Sequence, residues 1–324
     1  MERNIRVMTI QQNLSARTVS ELKAEAARVG CTGVSKLKKA ELAQRLAEFL
    51  SQPKVIERLL MAIEETEFKQ LKKALRTPMQ PFALPSLERL GYASASKDGL
   101  AVLSKEMSGF SLSVLQKSFY DTRRQLMGLS RYLAAFTALY GIVELKTVKE
   151  LLLRYEGTAP ASLGEDIALL GTAVHSYYLK DDKVVAAGLP EAMIAGIAAQ
   201  QAGKPRAALN KTEMLRFAEP GYCCRPAERA DFCGFLQKRF RCTARQATEL
   251  AEKVCGLMQL DSELLPVVNA AREMGLPMQE LEDVRDFSEA FETLYRHYPL
   301  WIHCGHSVVE MEKLQKAAAH GSVE

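Results

Sequence analysis

Apolar residues recur at helical spacing from Val19 onward, with Leu22, Ala26 and Val29 following it among polar neighbours. Thr18–Glu21 reads T-V-S-E, a capping box in which hydroxyl and carboxylate each satisfy a backbone N–H of the other residue. Gly30 stops this helix, because glycine enters the left-handed conformation cheaply. A loop with a second glycine, Gly33, leads to another apolar stripe of Leu42, Leu46, Phe49 and Leu50, and Pro53 follows its end. Two helices this short bury little, so the pattern predicts that 14–50 leans on the rest of the chain.

Beyond Pro53 the pattern predicts two helices over 55–75 (RLLMAI and EFKQLKKAL), then a stretch broken by Pro78, Pro81 and Pro85, then a short helix, SLERLG. YASASKDGLAVLS comes next as two strands turning at Lys97-Asp98-Gly99. Three helical segments and a hairpin is the order of a winged helix. That order recurs: helices over 114–140, 147–155 and 162–173, then YYLKDDKVVAAG turning at Asp181-Asp182. From Leu189 onward the spacing predicts helices over 191–201, 211–217, 227–240, 244–260, 264–274 and 280–298. The Gly- and Pro-bearing span 203–226 reads as the main linker. The expected fold is therefore mainly α. It comprises a helix–loop–helix module at 14–50, winged-helix-like units at 54–107 and 112–189, and a helical C-terminal region at 190–324. A generic helical domain with two incidental hairpins is the alternative.

Charge sharpens the picture at one end. Residues 1–50 hold nine basic residues, Arg3 and Arg6 among them, and five acidic ones, which equals the +4 of the whole chain. Lys38 and Lys39 stand at the start of the second helix, where each cation is unfavourable by about 0.3–1 kcal/mol against the macrodipole. A phosphate docked there would relieve the repulsion and accept from the free N–H groups. Lys36, Lys38 and Lys39 are the first candidates for such contacts, Arg17 and Arg45 stand behind them, and Ser35 is a neutral donor. Phe49 falls on the apolar face, so no aromatic residue serves the basic side, and backbone contact is favoured over base stacking. A solvated lysine cluster is the competing reading. The helices that would read DNA in a winged helix look unsuited to it: 162–173 carries Glu165 and Asp166 without Lys or Arg, and SLERLG offers only Arg89.

T-V-S-E-L-K at Thr18–Lys23 and G-V-S-K-L-K-K-A-E-L at Gly33–Leu42 resemble the N-terminal domain of the transcription termination factor Rho and the related SAP module. The resemblance covers about 40 of the 324 residues. It implies a nucleic-acid partner, since SAP modules bind DNA and the Rho module sits beside an RNA-binding barrel, and a place in transcription termination or regulation. No series of barrel strands and no G-x-x-x-x-G-K-[ST] loop accompanies it, so a Rho-type ATPase is not expected. The segment Trp301, Gly305, His306, Ser307 and Glu310 resembles the W-x-x-x-G-H-[ST]-x-x-E ending of a group of uncharacterised helical bacterial proteins.

Candidate chemistry is sparse. His303, Cys304 and His306 lack a fourth zinc ligand at a structural spacing, and a turn capped by His306 or Ser307 before a terminal helix is the simpler reading. Arg225 could activate Cys223 or Cys224, but no orienting His or Asp pattern joins them. Lys238, Arg239, Arg241 and Arg245 could extend a phosphate track or simply end a helix. The seven cysteines form no C-x-x-C pair, no apolar run approaches the roughly 18 residues of a membrane span, and the start lacks the apolar stretch of a signal peptide. The expectation is a cytoplasmic, non-enzymatic protein without cofactor or metal. It would bind the phosphate backbone of DNA or RNA through 14–50 and have a possible protein partner for its helical body. A protein-interaction scaffold whose N-terminal module is structural only is the alternative.

Overall fold

Capping residues and glycines at helix ends set most element boundaries. The structure, a computed structural model, describes residues 7–77, 81–95, 100–112, 115–174, 176–260 and 263–321. It is mainly helical, with short antiparallel strands. The chain divides into two compact units, Met1–Ser130 with Pro160–Leu179, and Arg131–Ala159 with Lys180–Glu324. This division runs through the expected 112–189 segment. The expected turn at Lys97-Asp98-Gly99 lies outside the described residues, as do Arg3, Arg6 and Pro78.

In the first unit, the two helices of the 14–50 module are Val19–Val29 and Lys39–Leu50. Thr18 and Glu21 close the expected box, with Thr18 N–H to Glu21 Oε2 at 2.8 Å and Glu21 N–H to Thr18 Oγ1 at 3.3 Å. Gly30 ends the first helix at φ 78°, its N–H directed to the Ala26 and Ala27 carbonyls. A helix not expected from the sequence, Ile10–Ser15, precedes them. Thr9 and Gln12 cap it reciprocally, a T-x-x-Q box of the same kind as the one at Thr18.

The module shares its core with the rest of its unit. Leu22, Ala26, Leu42, Leu46 and Leu50 are buried in one cluster with Leu60, Phe68, Leu87, Tyr92 and Phe119. Polar ties join the same parts: Tyr92 OH donates to the Leu50 carbonyl at 2.7 Å and Asn13 Nδ2 to that of Gly91 at 2.8 Å. Helices Pro53–Ala62, Glu65–Arg76 and Pro85–Arg89 then precede the strands Ala93–Ala95 and Ala101–Leu103, paired antiparallel with Ser94 opposite Val102. The helix–helix–helix–hairpin order is thus present over 54–107.

Glu67 crosses this unit as a buried carboxyl, accepting the Leu87 N–H at 3.0 Å. Burial pushes its pKa above the ordinary 4.5, outweighing the hydrogen bonds from Leu87 and Ser86. A raised folded pKa gives stability that is complete below the unfolded value and lost as pH rises through the folded one. Glu67→Gln keeps an acceptor for Leu87 and cannot ionise. Its urea midpoint should exceed that of the wild type at neutral pH and match it near pH 4.5; equal midpoints at both would contradict the burial argument.

The long helix Lys117–Tyr140, which the division cuts after Ser130, ends at Gly141, and in the second unit a strand of only three residues follows, Ile142–Glu144. It pairs antiparallel with Lys183–Ala186, Val143 opposite Val184. Three residues between two helices leave no alternation to read, so the sequence pattern does not predict this strand. Asp181 and Asp182 both take positive φ, 45° and 57°, as a two-residue hairpin turn between Tyr177–Lys180 and Lys183–Ala186 requires. Helices Glu191–Gln201 and Ala244–Leu260 keep their expected bounds. Helices Pro226–Phe240, Ala244–Leu260, Leu264–Glu273 and Leu281–His297 bury Phe232, Leu236, Leu250, Val254, Val267, Phe287 and Phe291 together.

The span 203–226 departs from its expected role as a linker. Tyr140 OH donates to the Ala207 carbonyl at 2.8 Å, Tyr155 OH to that of Leu209 at 3.0 Å, and Ala207 N–H to that of Cys304 at 3.0 Å. Its glycines and prolines shape a packed segment that holds the short helix Lys211–Arg216 and whose other backbone groups find both side-chain and backbone partners.

Candidate functional site

The loop from Gly30 to Lys38 is held from both sides. Gly30 and Gly33 supply positive φ (78° and 77°), and Lys23 Nζ donates to the Ser35 carbonyl at 3.0 Å. Lys38 is the N-cap of Lys39–Leu50, with extended backbone (φ −73°, ψ 164°). Its N–H is accepted by Glu41 Oε2 at 2.9 Å, so one donor of this helix end is already satisfied by a carboxylate.

Lys36, Lys38, Lys39, Arg45 and Ser35 are all exposed. Among the described residues, no carboxylate forms an ion pair with these four cations. Electrostatics still marks their surroundings. Glu21 is held below its ordinary pKa chiefly by the Thr18 backbone N–H and hydroxyl, with smaller contributions from Arg17 and Lys39. Burial pushes the Cys31 thiol up, and Arg45 partly opposes it.

Arg17 stands apart from the rest of the set. It is half-buried and donates through NH2 to the Glu88 carbonyl at 2.7 Å, tying the module to helix Pro85–Arg89. Arg89 is committed in the same way, paired with Glu25 at 2.6 Å and donating to the Thr172 carbonyl. Burial lowers the Arg89 pKa and the Glu25 carboxylate opposes this, as in a largely desolvated ion pair. Neither arginine is a free surface cation. The charge imbalance nevertheless belongs to this unit, whose residues include 21 basic and 15 acidic side chains against 22 and 24 in the other.

The remaining sequence candidates find structural roles in the second unit. Arg239 pairs with Asp283 and Asp286 at 2.8 and 2.9 Å, and Arg245 with Glu249 at 2.7 Å, so two cations of the second basic cluster are neutralised. Ser307 is the cap of the terminal helix Val308–Gly321: its N–H donates to Glu310 Oε2 at 2.9 Å and its Oγ accepts the Glu310 N–H at 3.3 Å. Glu310 also pairs with Arg225 at 2.8 Å, and His306 Nδ1 lies 3.9 Å from it. Arg225, His306 and Glu310 line a cleft of about 610 Å³ with Phe217 and Tyr222. Burial pushes the Cys224 thiol up to about 12, which opposes its activation by Arg225. Among the described residues, no three His, Cys, Asp or Glu side chains are grouped so as to hold a metal ion. No helix among them is long and apolar enough to cross a membrane. No family model, no curated protein and no solved structure matches this chain.

Proposed function

We propose that this protein associates with nucleic acid, DNA or RNA, by gripping the phosphate backbone with Lys36, Lys38 and Lys39 at the start of helix Lys39–Leu50. The observation that carries this reading is the exposure of three lysines without ion-pair partners among the described residues, beside a helix N-terminus, on the more basic of the two units. Arg45 and Ser35 extend the contact, and Arg17 supports the module from behind through Glu88. Contacts of this kind position a partner without reading its bases.

Three phosphate contacts give a log–log salt slope of about −2 to −3, so binding of a short duplex or an RNA hairpin, followed by anisotropy, should weaken steeply with salt. Lys36/Lys38/Lys39→Ala should remove the share of these three contacts and leave at most the slope of about −1 that Arg45 supplies, without moving the thermal midpoint. The integration of 14–50 into the core of its unit favours a second reading, in which the module is structural and the protein is a scaffold for another protein. On that reading the triple variant binds polyanions as weakly as the wild type and with the same slope.

A further inference from the structure

The nucleic-acid reading leaves the second unit without a ligand, yet its cleft of about 610 Å³ has the size of a small-molecule site. One wall is a face of the terminal helix Val308–Gly321, where Glu310, Lys313, Leu314 and Ala317 recur at i, i+3, i+4 and i+7. The packed segment 203–226 supplies another wall through Leu209, Phe217 and Tyr222. The two rings meet edge to face with centroids 5.2 Å apart, and the Arg216 guanidinium stands 4.6 Å from the Tyr222 ring centre. Neither ring is fully buried, and Leu314 is 39% exposed. The cleft therefore leaves both aliphatic and aromatic surface to water, and covering that surface would stabilise a bound chain by about 25 cal/mol per Å².

Charge selects among apolar ligands. Three of the four acidic and basic side chains on the lining are engaged within the protein. Arg225 pairs with Glu310 at 2.8 Å and donates to the His297 carbonyl at 2.8 Å, while Glu310 also accepts the Ser307 N–H at 2.9 Å. Glu213 accepts the Asn210 N–H at 3.1 Å, as the capping carboxylate of helix Lys211–Arg216. Lys313 is exposed and has no ion-pair or hydrogen-bond partner among the described residues. His306, on the same lining, leaves its buried Nε2 without a hydrogen-bond partner, and burial keeps its pKa below the ordinary 6.5. Apolar walls beside one unanswered cation fit a ligand that is long, apolar and singly negative.

We propose that this cleft binds a straight-chain aliphatic monocarboxylate. The chain lies along Leu314 and Ala317 against Phe217 and Tyr222, and the carboxylate takes the Lys313 ammonium.

Calorimetric titration of the full chain with sodium decanoate, kept below micelle formation, tests this. The expected result is one saturable site per chain. Affinity should rise about two- to fourfold per methylene from hexanoate to decanoate, as each added group leaves water. Decylamine, with the same chain and the opposite charge, should bind at least about tenfold more weakly, and Lys313→Gln should weaken decanoate about tenfold, the share of one charge-assisted hydrogen bond. Lys313→Arg keeps the charge and should stay within about threefold of the wild type. Leu314→Glu sets a carboxylate against the ligand and should remove measurable binding. Lys313 is exposed, so its two variants should keep the wild-type thermal midpoint, and their comparison decides the matter even if Leu314→Glu does not fold. Absence of a saturable decanoate site, several equivalent sites, affinity indifferent to chain length, decylamine bound as tightly, or an unchanged affinity in Lys313→Gln overturns the proposal.

Discussion

Arg123→Ala should lower stability by about 3–5 kcal/mol, the loss expected when one partner is removed from a buried, hydrogen-bonded charge. Arg123 is 3% exposed. Its NH1 donates to the carbonyls of Leu60 (2.7 Å), Met61 (3.1 Å) and Ile63 (2.7 Å), which are the carbonyls left without partners where helix Pro53–Ala62 ends. NH2 reaches Glu65 Oε2 at 3.2 Å at the start of the next helix, and the guanidinium carbon stands 4.2 Å from the centre of the Phe68 ring. One side chain therefore closes one helix, opens the next and covers an aromatic ring.

The carbonyls dominate the expected loss. Each buried acceptor left unsatisfied costs about 1–3 kcal/mol. Glu65 is half exposed and can turn to water, so Glu65→Gln should cost less than about 1 kcal/mol. Arg123→Lys should recover part of the loss, because an ammonium can meet the carbonyls but cannot also span to Glu65. Urea titrations with an unchanged m-value would measure all three. An Arg123→Ala loss below that of Glu65→Gln would show that water reaches the helix end and that the guanidinium is not its cap.

Arg123 and its neighbour Arg124 also show what the sequence conceals. The two are adjacent, yet Arg124 is exposed and pairs with Asp121, one helical turn away. Local rules cover partners within a turn or two, and these were legible: the Thr18–Glu21 box, the Gly30 stop, the turn at Asp181-Asp182, the cap at Ser307. Partners set by the tertiary fold were not. Arg17 and Arg89 read as free cations because the Glu88 carbonyl lies 71 residues from the first and Glu25 lies 64 from the second. Lys36, Lys38 and Lys39 were legible as exposed because the loop between Gly30 and Lys38 offers few apolar positions to bury them beside.

The W-x-x-x-G-H-S-x-x-E segment yields to the same distinction, and Gly141→Ala is its sharpest test. Gly141 ends helix Lys117–Tyr140 at φ +71°, where an alanine costs about 1–2 kcal/mol for its backbone conformation alone. Added to that, a Cβ there would meet Trp301 Cδ2 and Cγ at 2.5 and 2.6 Å. The indole cannot retreat freely, because its Nε1 donates to the Ala138 carbonyl at 3.0 Å and the Trp301 carbonyl accepts Gln201 Nε2 at 2.8 Å. Overpacking of this kind costs roughly 1–3 kcal/mol more, so Gly141→Ala should lose about 2–5 kcal/mol in all.

Gly157 supplies the control. It ends helix Leu145–Glu156 at nearly the same φ, +72°, with open space where a Cβ would go. Gly157→Ala should therefore lose only the backbone share, about 1–2 kcal/mol. Trp301 is the only tryptophan of the chain, so its emission reports on this contact directly and should shift in Gly141→Ala but not in Gly157→Ala. Combining Gly141→Ala with Trp301→Leu should cost less than the sum of the two single changes, because the smaller side chain removes the clash. Equal losses in the two glycine variants, or strict additivity in the double variant, would mean that the left-handed backbone alone requires glycine at 141 and that the indole face does not.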